Sequence, residues 1–235
     1  MTIDAAPART HSGWKTALAA GLLGALIGGG AVAYASRESV RDYLLENPEI
    51  LPEAMDVLRA REAAKVVSAN RSALETPFAG AWAGAADGDV VLVEFFDYAC
   101  GYCRKSNADI DRLLREDPKL KVVWREWPVL GPDSEAAARA SLAAARAGRF
   151  KPFYDSLFAA GRPTPEALAQ ARAAVGVGGE LPAADSDREL SRNFQLARSL
   201  EATGTPTFVV GDQIFQGAVG YEALRDAIRE ARAKS

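Results

Sequence analysis

The chain has 235 residues, a formal net charge of −3, 49% apolar residues, two cysteines and a single histidine. That is enough for one domain of moderate size plus an appendage, and the slight acidity, with no basic face, argues against a nucleic-acid partner. Two cysteines and a lone His11 cannot supply the four ligands of a structural zinc site.

The first predicted element is residues 16–36, which carry no formal charge and follow Arg9 and Lys15. The stretch is long enough to span a bilayer, and basic residues ahead of it place the N-terminus in the cytoplasm and the rest outside. Ala33-Tyr34-Ala35 also fits a small-x-small cleavage site. The segment is therefore either a signal-anchor, which its length favours, or a signal peptide cut near Ala35; a buried core helix does not fit its flanks. Both routes lead to an oxidising compartment. Gly24 and Gly28 have the spacing of a helix-packing pair, but glycine is too common here for that to be specific.

Residues 37–71 are charged, Ala-rich and helical in pattern, divided by Pro48 and Pro52. Val40, Tyr43 and Leu44 mark an apolar face on the first piece; Leu51, Met55 and Leu58 mark one on the second, with Pro52 near a helix start. The segment reads as a solvated stalk or as an oligomerisation element. A long coiled coil does not fit, because Glu62 and Lys65 take the next apolar positions. Residues 72–88 read as linker plus an early edge element.

The apolar run 90–96 reads as a buried strand, and 104–116 as a helix. Between them stands Cys100-Gly101-Tyr102-Cys103. A Cys-x-x-Cys at a strand-to-helix turn points to redox chemistry. The first thiol sits at a helix N-terminus, where unpaired N–H groups and the helix dipole favour an anion, so its pKa falls and the reactive thiolate forms. The second, one turn on, can close or resolve a disulfide. A purely structural disulfide over so short a loop removes little unfolded-state entropy. Glu94 interrupts the strand; a carboxylate there is costly unless it works or is paired, the bland alternative being a strand edge. Asp97 and Tyr98 shape the loop, and Lys105 either favours the thiolate or lies idle on the surface. Further on come a strand at 120–127, with Trp124 and Trp127 as core and rim aromatics; helices at 133–148, 151–160, 165–176 and 185–202; two short strands, 207–210 and 213–216, joined at Gly211-Asp212; and a last helix, 221–234.

The segment Glu94-Phe95-Phe96-Asp97-Tyr98-Ala99-Cys100-Gly101-Tyr102-Cys103, with Thr203-Gly204-Thr205-Pro206-Thr207-Phe208 far downstream, resembles thioredoxin-fold thiol–disulfide oxidoreductases of the DsbA-like type. The resemblance covers 75–235. It implies an α/β thioredoxin fold with an inserted helical domain at about 131–202; the membrane or signal helix (1–36), longer than a simple signal peptide, and the helical stalk (37–74) precede it. It also implies that Pro206 is cis and faces the cysteines, that Thr205 and Pro206 hold substrate peptide beside Cys100, and that Glu94 relays protons to Cys103, with burial raising its pKa. Gly101-Tyr102 is the dipeptide of DsbC-type isomerases, and Thr205 is similar to that side as well. Residues 42–51 resemble the suppressor-of-copper-sensitivity and Com1-like branch, some of whose members oligomerise.

The expectation is an exported, periplasmic enzyme exchanging disulfides through Cys100 and Cys103, with isomerase character and no metal or organic cofactor. Its partners would be unfolded or misoxidised exported proteins, a membrane redox partner and, through residues 37–71, copies of itself. The alternatives are a dithiol oxidase, a non-catalytic holdase and a Cu(I)-handling protein, since thiolates suit that ion.

Overall fold

A computed structural model describes residues 40–179 and 181–234. The expected anchor at 16–36 and the cleavage site near Ala35 lie outside the described residues. Among those described, no helix is long and apolar enough to cross a membrane. The chain divides between Leu58 and Arg59 into two compact units.

In the first unit, residues 40–46 are helical and a second helix begins at Ile50. Pro52 stands in its first turn, where a missing N–H costs nothing. Val40, Tyr43, Leu45, Leu51, Met55 and Leu58 are all exposed. The helix, α1 (Ile50–Glu75), continues into the second unit. It ends one residue beyond the expected helical stalk (37–74). Within the second unit it carries an exposed Glu62–Lys65 ion pair, and farther along it buries Val67 and Leu74.

The second unit contains β1 (Trp82–Gly84), β2 (Val90–Phe96), α2 (Gly101–Glu116), β3 (Leu120–Glu126), α3 (Pro132–Arg146), α4 (Phe150–Ala160), α5 (Pro165–Val175), α6 (Ala183–Ser199), β4 (Thr207–Val210), β5 (Gln213–Gln216) and α7 (Tyr221–Lys234). The sheet order is β1-β3-β2-β4-β5. Central β2 runs parallel to β3 and antiparallel to β4. Both of its faces are covered, which is why its sequence is an almost unbroken apolar run.

One face of the sheet presents Leu92, Phe96, Val122, Trp124, Phe208 and Val210 to a core completed by α2, α3, α4 and α7. The other presents Val93, Phe95, Val123 and Val209 to Val67 and Leu74 of α1 and to Leu196, Ala197 and Leu200 at the end of α6. Helix α2 reaches the first core through Cys103, Ser106, Ile110 and Leu113, a stripe at helical spacing. The small side chains of α3 let backbone come close: Gly80 N–H donates to the Ala145 carbonyl at 3.1 Å, and a Cβ on Gly80 would stand 2.9 Å from that oxygen. Helix α5 is delimited by its sequence, with Thr164 as N-cap, Pro165 at its start and a left-handed Gly176 at its end. Helix α6 ends at Ser199, three residues before the expected Ala202, because Leu200 already leaves helical geometry and Glu201 takes a positive φ of 53°.

Candidate active site

Cys100 is the N-cap of α2, and its sulfur accepts the Cys103 backbone N–H at 3.4 Å. The two sulfurs are not bridged. Cys100 keeps 6% of its surface and Cys103 none, so a macromolecule can reach only the first sulfur. In its protonated form the Cys100 thiol donates to the Thr205 carbonyl at 3.2 Å, and the Thr205–Pro206 bond is cis. The two distant motifs therefore meet at one sulfur.

The thiols are pushed in opposite directions. The Cys103 thiol hydrogen-bonds to the Cys100 sulfur and is the main cause that lowers Cys100 to about 5; desolvation opposes it, and the Thr205 side chain with the backbone N–H groups of Cys103 and Tyr102 adds to it. Burial pushes Cys103 far above an ordinary thiol, helped by its bond to Cys100 and by the Glu94 charge. At neutral pH the pair is one thiolate and one thiol, an attacking sulfur and a sulfur that must lose a proton before it can act.

Glu94 is fully buried in β2, which removes the strand-edge alternative. Its Oε2 accepts the Tyr154 hydroxyl at 3.2 Å, and Oε1 has no hydrogen-bond partner. Desolvation raises its pKa to about 8; Tyr154 and the nearby Trp124 indole pull it partly back, and the Cys100 charge adds to the rise. The indole N–H of Trp124 makes no hydrogen bond of acceptable geometry.

Asp97 shapes the loop as its position suggested. One oxygen accepts Ala99 N–H, the other accepts the N–H groups of Val129 and Leu130, so the loop after β3 is tied to the loop before Cys100. A Cβ on Gly101 would meet nothing within 4 Å, and Tyr102 is 67% exposed; both lie open beside the sulfur. Lys105 is exposed on α2. Among the described residues no group of three or more His, Cys, Asp or Glu could hold a metal ion.

Tyr154, which sequence reasoning passed over, belongs to the site. It stands among Phe150, Phe153, Leu157 and Phe158 on the buried side of α4, and a polar tip inside an apolar stripe was the signal available. Its hydroxyl also lies 2.6 Å from Asn107 Oδ1 on α2.

The residues that form this site fall within a match to the DSBA-like thioredoxin domain model over 91–229, and residues 37–65 match the N-terminal domain of copper resistance protein ScsC. A linker-deletion mutant of Proteus mirabilis ScsC is 30% identical, with 87% of this chain and 97% of that one covered and a TM-score of 0.71. A thioredoxin-like oxidoreductase from Silicibacter pomeroyi is 35% identical, covering 71% and 99%, with a TM-score of 0.63. A periplasmic thioredoxin-like protein from Salmonella enterica serovar Typhimurium is 28% identical, covering 69% and 95%, with a TM-score of 0.65. The curated relatives include a Na(+)/H(+) antiporter NhaA of Salinispora arenicola, 28% identical over 169 residues. The chain spans only about a quarter of the length of those relatives. With the family model covering more than half the chain and the ScsC structure matched along almost its whole length, the protein belongs to the DsbA-like thioredoxin-domain family of thiol–disulfide oxidoreductases, in its ScsC branch.

Proposed function

We propose that this chain rearranges disulfides in exported proteins, with Cys100 as nucleophile and Cys103 as resolving thiol. The observation that carries the reading is the pairing of a reachable, thiolate-forming Cys100 with a sealed, protonated Cys103. In isomerisation the Cys100 thiolate attacks one sulfur of a substrate disulfide. The other sulfur leaves as thiolate, attacks elsewhere in the substrate, and Cys100 is expelled, with no net change in electrons. A low-pKa thiolate is a good leaving group, which favours that release. In the escape route Cys103 gives its proton to the Glu94 carboxylate and attacks Cys100; the substrate departs reduced and the enzyme is left oxidised. Thr205, Gly101 and Tyr102, beside the buried Pro206, form the open rim along which an extended peptide would lie. Gly101-Tyr102 is what favours isomerisation over simple oxidation.

A periplasmic setting is supported by the charge-flanked apolar stretch at 16–36 and by the periplasmic Salmonella homologue. Self-association through the first unit is supported by its exposed apolar side chains, which have no reason to face water in a lone chain; light scattering before and after a Leu51→Glu, Met55→Glu double substitution tests it, with a fall in mass expected.

The deciding experiment is reactivation of scrambled ribonuclease beside oxidation of reduced ribonuclease. Recovery of the scrambled substrate, lost in Cys100→Ala, is the expected result. Activity on reduced substrate alone would replace this reading with a dithiol oxidase, and client binding by the unsubstituted chain with no turnover of either substrate would replace it with a holdase. Iodoacetamide labelling of Cys100 should follow the thiolate, with half its full rate at about pH 5.

A further inference from the structure

Tyr154 and Asn107 lie outside the cysteine motifs, yet the buried Glu94 is bonded to Tyr154, and Tyr154 to the half-buried Asn107. A tyrosine hydroxyl has one proton to donate. Here it has two acceptors, Glu94 Oε2 at 3.2 Å and Asn107 Oδ1 at 2.6 Å. Tyr154 is fully buried, whereas Asn107 is half-buried on α2, four residues after Cys103. The helical insert therefore supplies, through α4, a hydrogen-bonding side chain to the redox site on the sheet.

We infer that Tyr154 and Asn107 are positioning residues that form a two-state hydrogen-bond switch, setting when Glu94 holds the proton exchanged with Cys103. With Glu94 protonated, its O–H donates to the Tyr154 oxygen and the Tyr154 proton turns to Asn107 Oδ1. With Glu94 ionised, Tyr154 donates to the carboxylate, and the Asn107 amide can turn its N–H toward the Tyr154 oxygen. Either arrangement satisfies the Tyr154 hydroxyl, and only rotation of one O–H and one amide separates them. The step it serves is balanced: the Cys103 proton moves to Glu94, the Cys103 sulfur attacks Cys100, and the substrate sulfur leaves as thiolate. The ionisable groups around Glu94 are Cys100 and Cys103 at the start of α2, Tyr154 on α4 with Lys151 over its ring at 5.8 Å, and Tyr98 in the loop before Cys100. The residue paired with Glu94 across β4 is the apolar Phe208.

This rests on Glu94 being the proton acceptor for Cys103, and the test separates the two ideas. The reduced full chain is mixed with the aromatic disulfide dithiobis(nitrobenzoate) across a pH series. Attack by Cys100 releases the first coloured thiolate, and attack by Cys103 on the mixed disulfide releases the second. Glu94→Gln should slow the second phase and abolish its rise through about pH 8; if it does not, the Glu94 reading fails and the switch with it. Where Glu94→Gln behaves as expected, Tyr154→Phe removes a donor to the carboxylate and should move the midpoint up by about one pH unit, near the value of one charge-assisted hydrogen bond. Asn107→Leu leaves Tyr154 no acceptor except Glu94 and should move it down by about as much. The first phase should stay unchanged in both. Opposite shifts are what a merely structural role would not produce. Shifts in the same direction, or none in either variant, overturn the switch and leave Glu94 as the base.

Discussion

Glu94 and Glu126 stand on the same face of the sheet, since Glu94 pairs with Trp124 and Phe96 with Glu126. Both are buried, both have one oxygen bonded and one without a partner, and desolvation raises them to about 8 and about 7. Their connections differ. Glu94 leads to Tyr154 and then to half-buried Asn107 beside the cysteines. Glu126 accepts from Ser141 of α3, which accepts from Tyr98, and that chain ends inside the core. Its neighbour Arg125, on the opposite face, binds Glu189 and Asn193 of α6 and the carbonyls of Ala73, Leu74 and Thr76 at the end of α1. Asn193 closes the loop by donating to the Glu126 carbonyl. One buried acid opens toward the chemistry; the other, with its neighbour, fastens the inserted helices and α1 to β3.

The fastening side should show the largest stability effect. Arg125 is 1% exposed, and its removal strands Glu189 and three backbone carbonyls. Arg125→Met should cost roughly 3–5 kcal/mol in urea unfolding, the usual penalty for leaving one partner of a buried pair. The iodoacetamide rate of Cys100 should be unchanged in whatever remains folded. A loss of thiol reactivity in folded Arg125→Met would join the two regions that the structure keeps apart.

The two acids themselves give the next effect. Each has a folded pKa above its unfolded value of 4.5. The folded state therefore keeps a proton that the unfolded chain releases. Stability from that proton is fully present below pH 4.5 and is lost as pH rises through about 7 for Glu126 and about 8 for Glu94. The slope is ~1.4 kcal/mol per pH unit for each group. Glu126→Gln should remove one slope up to about pH 7 and leave both thiolate-release phases untouched, whereas Glu94→Gln should remove the other up to about pH 8 and slow the second phase. Equal kinetic effects of the two substitutions would erase the distinction between them.

The open side was largely legible in the sequence, because redox chemistry uses rare residues at fixed spacing: Cys100, Cys103, Pro206 and a carboxylate breaking an apolar strand. The strands were legible for the same reason that β2 is buried, its unbroken run of Val, Leu and Phe. The fastening side was not. Arg125 and Glu126 end a strand, where charge is ordinary, and nothing local says that α1 and α6 will cover one and α3 the other. Tyr154 was hidden by its own apolar company.

The smallest effect tests whether the two regions touch at all. Tyr98 is two residues before Cys100, yet its hydroxyl donates to Ser141, on the Glu126 side. Its ring packs edge-on to Phe96 and Phe153 and lies 5.9 Å from that of Tyr154. Tyr98→Phe keeps those ring contacts and deletes one neutral hydrogen bond, worth about 0.5–1.5 kcal/mol. Ser141 keeps its donation to Glu126, so no buried charge is stranded. Urea unfolding should register that loss, and the two thiolate-release phases should superimpose on those of the unsubstituted chain. A slower second phase would mean that Tyr154 feels Tyr98 through their shared ring stack, and the two buried acids would then belong to one network.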